Sequence, residues 1–110
     1  MEIKLSVYDK KEVVKTYTAD TYDVMFGTVE DLFDLIDFDN MQKFSDTELV
    51  FAVVKAIPKT FGLIKPLLKD IFDGLTDDEI KHCKIKDIAK VLVEVVKTSM
   101  ADITAGNSKN

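Results

Sequence analysis

The stretch "IKLSVYDKKEVVKTYT", residues 3–18, decides whether this chain is all-helical or also carries a sheet. Ile3, Leu5 and Val7 alternate with Lys4, Ser6 and Tyr8. That two-residue period marks a strand with one buried face. Asp9–Glu12, "DKKE", is polar and fits a turn. Val13–Thr18, "VVKTYT", is rich in β-branched and aromatic residues and reads as the returning strand. A lone hairpin is marginal in water, so its apolar face must pack on something. The rest of the chain has helical spacing. The expected fold is therefore mainly α (α+β), an N-terminal β-hairpin packed on four to five helices. One domain is expected over residues 1–103, with a flexible polar tail at 104–110.

Downstream of the hairpin, Met25, Val29, Leu32, Phe33 and Ile36 form one apolar stripe, with Glu30, Asp31 and Asp34 on the other side. Asp20 or Thr21 could cap the start of that helix, and Gly27–Thr28 offers a second start. "SDTE", Ser45–Glu48, is a capping box by residue type, and it predicts a helix with Leu49, Val50, Val53, Val54 and Ile57 on its apolar face. Pro58 should stop that helix near Ile57, because proline lacks an N–H and crowds the preceding turn. Pro66 fits the first turn of the next helix or a kink in it. Leu67, Leu68, Ile71 and Phe72 supply that helix's apolar side, and Gly74 suits a left-handed position after its end. "TDDE", Thr76–Glu79, is a second capping box and predicts a short helix. A final helix is expected from about Ile85 to Ile103.

The segment "DFDNMQKFSDTE", Asp37–Glu48, has the outline of a calcium loop. Carboxylates stand at its first and third positions and a glutamate at its twelfth. Its fifth position is Met41, which offers no hard oxygen, and its sixth is Gln42 where the sharp turn of an EF-hand needs glycine. A turn followed by a capped helix explains the same residues, so no metal and no cofactor is expected.

Composition narrows the function classes. The chain has 110 residues, 46% hydrophobic and 32% charged, which fits a single small globular domain. Its net charge of -5 makes phosphate backbones and anionic lipid poor partners, so neither nucleic acid nor membrane is expected. Cys83 is the only cysteine, which excludes an intramolecular disulfide and fits a reducing cytosol. The alternating first residues are unlike a signal peptide, and no apolar run approaches the ~18 residues of a membrane span. His82 is the only histidine and sits beside Cys83. Helical neighbours point in different directions, so the two do not make a dyad. No nucleophile–base pair or phosphate-cradling glycine motif is visible, and an enzyme is not expected. Phe33, Phe51, Phe61 and Phe72 fall at apolar helical spacing and read as core.

The last helix is broadly apolar. Ile88, Leu92, Val95, Val96 and Ser99 share one face, and Ala89, Val91 and Val93 widen the apolar zone. Such a helix needs neighbours on all sides. Either it is the central helix of the fold, or one side waits for another chain.

Two runs, "TYDVMFGTVEDLFDLIDFD" and "AIPKTFGLIKPLLKDIFDGLTDDEIKHCKIKDIAKVLVEVV", resemble the tail assembly chaperones of long-tailed (siphovirus-type) phages of Gram-positive bacteria. With the strand-rich start, the resemblance spans about residues 1–103. It implies a transient, non-enzymatic viral assembly factor that binds the tape measure protein and helps recruit tail tube protein. Self-association is a further expectation. The place of action would be the cytoplasm of the infected bacterial host, with no copy in the mature virion. Many such phages also make a longer frameshifted form, and a chain ending near Asn110 would be the short one. Helices with broad apolar faces can hold a client helix in a groove, and acidic outer faces could attract basic client segments. The contact candidates are Phe26, Phe33, Val91, Val95 and Met100, whose first reading is intramolecular core. Two other functions fit the residues: a small structural tail-completion or connector subunit, and an acidic helical regulator that mimics DNA.

Overall fold

The computed structural model describes residues 2–35 and 44–108. Strand β1 (Glu2–Asp9) and strand β2 (Glu12–Asp20) form an antiparallel hairpin. Five α-helices follow among the described residues: α1 (Phe26–Leu35), α2 (Asp46–Ala56), α3 (Phe61–Ile71), α4 (Asp77–Lys81) and α5 (Ile85–Ser108). Short 3-10 turns occupy Thr21–Asp23 and Ile57–Lys59. This is the α+β arrangement that the residue pattern predicts.

The hairpin is asymmetric. Ile3, Leu5 and Val7 on β1 are buried, as their alternation requires. β2 is largely exposed and gives the core only the partly buried Tyr17 and Ala19. Pairing runs in one register from Glu2↔Asp20 to Val7↔Lys15, then shifts so that Tyr8 faces Val13. The shift leaves Val14 as an extra residue, a β-bulge. Val13 and Val14 both stand in solvent. Beyond the hairpin, the Tyr8 N–H donates to the His82 carbonyl at 2.8 Å. That bond fastens β1 to the end of α4.

Both predicted capping boxes form. The Ser45 hydroxyl accepts from the Glu48 N–H at 3.3 Å, and the Glu48 carboxylate accepts from the Ser45 N–H at 3.1 Å. Thr76 and Glu79 exchange the equivalent bonds at 3.2 and 3.1 Å. α2 stops at Ala56, and Pro58 lies in the 3-10 turn that follows. Gly74 has φ 87° in the third position of a tight turn closed from the Leu75 N–H to the Phe72 carbonyl. A type II turn needs positive φ there, which glycine adopts without a Cβ penalty.

Several expectations are corrected. Of the two places expected for Pro66, the first turn is excluded, since the residue lies deeper inside α3. α1 begins at Phe26, and Met25 is 72% exposed and outside the apolar stripe. Thr21 starts a 3-10 turn, four residues before the Met25 that precedes α1. α5 continues to Ser108, past the end expected at Ile103, because no proline interrupts its hydrogen-bond ladder. Ile36 and residues 37–43 of the calcium-loop question lie outside the described residues.

α5 is the central helix. It packs against α1, α2, β1 and the 3-10 turn at Thr21–Asp23. Ile88, Ala89, Val91, Leu92, Val93, Val95 and Val96 are all buried. Its broad apolar girth is therefore matched by neighbours inside the same chain over this stretch. Leu67, Leu68, Ile71 and Phe72 join the same cluster from α3 and the residue after it.

Candidate functional site

α2 and α5 do not close completely along their length. Between them lies a groove of about 490 Å³, lined by Asp46, Thr47, Val50, Phe51, Val54, Lys86, Lys90, Val93 and Glu94. α2 begins beside Lys97, whose Nζ lies 2.9 Å from the Asp46 carboxylate. Its later turns face Lys86–Glu94, so the two helices run antiparallel. Val53 is the residue that α2 buries fully, with Val50 and Val54 half-buried on its shoulder. Phe51 precedes Val53 by two residues, about 200° around the helix. It is consequently 62% exposed and stands on the groove wall. The sequence pattern put Phe51 in the core; the structure puts it outside.

The rim is charged in a definite order. Lys86 and Lys90, one turn apart on α5, are both exposed at one end. Glu94 follows one turn later, and Asp46 lies across on α2. Asp46 is engaged by Lys97, and that carboxylate raises the Lys97 pKa above its ordinary value. The side chains of Lys86 and Lys90 have no ion-pair or hydrogen-bond partner among the described residues.

The five residues named from sequence fare differently. Phe26, at the start of α1, is 76% exposed and Phe33 is half-buried against the core. Val91 is 3% and Val95 1% exposed, both inside the α5 packing cluster. Met100 lies on α5, and its side chain is outside the described ones. None of Phe26, Phe33, Val91 and Val95 lines the groove. Sequence reasoning missed Phe51, Lys86 and Lys90. One signal was available: Phe51 is a large aromatic off the Val50–Val53–Val54–Ile57 stripe.

A second set of polar groups fixes the hairpin. Tyr17 on β2 places its hydroxyl 2.5 Å from the Glu79 carboxylate and 3.2 Å from the Gly74 carbonyl. With one proton to give, it donates along the shorter contact to the charged acceptor. Lys15 adds an ion pair to Glu79 at 3.3 Å and lies 4.5 Å over the Tyr17 ring. Chiefly the Tyr17 hydroxyl, helped by the Thr76 and Lys15 donors, brings the Glu79 pKa down to about 2. Tyr17 also meets Phe72 edge-on, with ring centroids 6.4 Å apart.

The Cys83–His82 neighbourhood is chemically quiet. The Cys83 thiol donates to the Glu79 carbonyl at 3.3 Å. Burial, with Asp87 and Glu79 nearby, pushes its pKa up to about 11, so it is held as the un-ionised thiol at neutral pH. The His82 ring is turned to the Asp78 carbonyl at 2.9 Å. Among the described residues no group of three or more His, Cys, Asp or Glu could hold a metal ion, and no helix is long and apolar enough to cross a membrane. No family model, curated protein or solved structure matches this chain.

Proposed function

We propose that this chain is a non-enzymatic assembly chaperone of long phage tails. It binds the tape measure protein, helps recruit tail tube protein in the host cytoplasm, and departs before the virion is complete. The observation that carries the reading is the α2–α5 groove, an apolar trough with Phe51 standing 62% exposed on its wall. A small folded protein hides most large aromatics, and an apolar trough with a polar rim suits a partner. An amphipathic helix laid in such a trough is a recurring mode of peptide recognition. Tape measure proteins, long and helical in the family that the chain resembles, offer that kind of surface. Shielding it until tube subunits arrive needs no reactive side chain, only reversible apolar contact.

The test is co-expression with fragments of a tape measure protein encoded beside this chain's gene. The expected result is a fragment that is insoluble alone and soluble with the chaperone. Phe51→Asp should abolish the rescue while the variant stays folded, because an exposed side chain away from the core changes stability by only about 0.5 kcal/mol. Fragments equally soluble with and without the chain sink the proposal. So does recovery of the chain as a stoichiometric part of purified virions.

A further inference from the structure

We infer that the α2–α5 groove selects helices by charge order as well as by apolar content. Its ligand is an amphipathic helix carrying carboxylates one turn apart at the end that meets Lys86 and Lys90. The inference takes from the proposed function only the idea that the ligand is a client helix.

The overall charge of -5 points the other way, toward basic clients. Local geometry overrides it at this site. Exposed charges farther away than about 8–10 Å are largely screened at physiological salt, so the groove's own rim dominates. That rim has two lysines at one end, spaced i and i+4 on α5, with no anionic partner among the described residues. The carboxylate that could have answered them from α2, Asp46, sits at the other end and is already paired with Lys97. Glu94 adds negative charge next to that pair. The trough thus runs from a cationic end to an anionic shoulder over an apolar floor of Val50, Val54 and Val93. An i, i+4 pair of lysines matches an i, i+4 pair of carboxylates on a helix lying alongside it. Such a helix gains contacts in one direction and meets like charge in the other, so the order fixes which way it lies.

The experiment uses two designed peptides of about four helical turns. Both carry the same leucine stripe. One has glutamates one turn apart at one end, and the other has lysines there. Binding to the full chain is followed by fluorescence anisotropy at low salt. The glutamate peptide should bind about three- to tenfold more tightly, the effect of two rim ion pairs. Lys86→Glu with Lys90→Glu should invert the preference. Phe51→Ser, which removes the ring without adding charge, should weaken both peptides alike. Salt at about 0.5 M, where the screening length falls to about 4 Å, should erase the preference and leave the apolar part of the binding. Equal binding of the two peptides overturns the inference, as does a preference that survives the double lysine reversal. A dimer of the unliganded chain that Lys86→Glu with Lys90→Glu dissociates also overturns it, since the groove's occupant is then a second copy. Peptide selection as expected, with no rescue of tape measure fragments, leaves the groove assignment standing and removes the chaperone reading. Rescue that ignores the lysine reversal and Phe51→Asp does the reverse.

Discussion

Leu5→Ala measures whether the hairpin belongs to the cooperative core. Leu5 is fully buried on β1, and β1 packs on α5. The substitution removes about three methylene-sized groups, worth about 0.8 kcal/mol each in transfer from water, or about 2.4 kcal/mol together. The surroundings collapse only partly, and the residual cavity raises the total to about 3–4 kcal/mol. Domains of this size are stable by about 5–15 kcal/mol, so a large share is lost. With a urea slope of about 1.5 kcal/mol per molar, the unfolding midpoint should fall by about 2 M. Urea titration followed by far-ultraviolet circular dichroism reads this directly. Val14→Ala is the control on the opposite strand: Val14 is the exposed bulge residue, and its loss should shift stability by no more than about 0.5 kcal/mol. If the Leu5→Ala midpoint moved no further than that of Val14→Ala, the hairpin would not be seated on the helices and the fold described here would be wrong.

Three further outcomes are expected. Gly74→Ala should cost about 1–2 kcal/mol through the backbone alone, since Gly74 has φ 87° and an added Cβ meets nothing within 4 Å; thermal melts should show it, and an unchanged melting temperature refutes the positive-φ turn. Glu79 has its pKa lowered from 4.5 to about 2 in the folded chain, so its stabilising effect is complete above pH ~4.5 and is lost as pH falls through about 2. Wild type should therefore lose stability over that window more steeply than Glu79→Gln in acid titrations of urea midpoint, with Tyr17→Phe in between; parallel curves for all three contradict the clasp. Cys83, with its pKa raised from 9.0 to about 11, should have about a hundredfold less thiolate at pH 8 in the folded chain than in urea. Its alkylation by iodoacetamide should slow at least in that proportion, and equal rates in both states refute the buried thiol.

Local grammar was legible from the residues. The Ser45–Glu48 and Thr76–Glu79 capping boxes, the stop before Pro58 and the left-handed Gly74 each depend on atoms within a few residues of one another, and the hairpin on two adjacent segments joined by a short turn. Backbone sterics and short-range hydrogen bonds decide such features, and side-chain type reveals them. The candidate site was not legible in the same way. Val91 and Val95 had the composition of a sticky face, yet β1, α1 and α2 cover the part of α5 that carries them. Phe51 had the composition of core, yet Val53 won the inward direction on α2 and left the ring outside.

By itself, then, the order of residues determined which segments are strand or helix, where the two capping boxes start a helix and Pro58 stops one, and that the final helix would need neighbours almost all round. Tertiary structure alone decided who those neighbours are, and it brought Tyr17 to Glu79 across 62 positions and α2 alongside Lys86 and Lys90. The physical reason is the range of the forces. Secondary structure answers to bonds between near neighbours along the chain, whereas burial is a property of everything packed around a side chain, and that company is chosen only when the whole chain has folded.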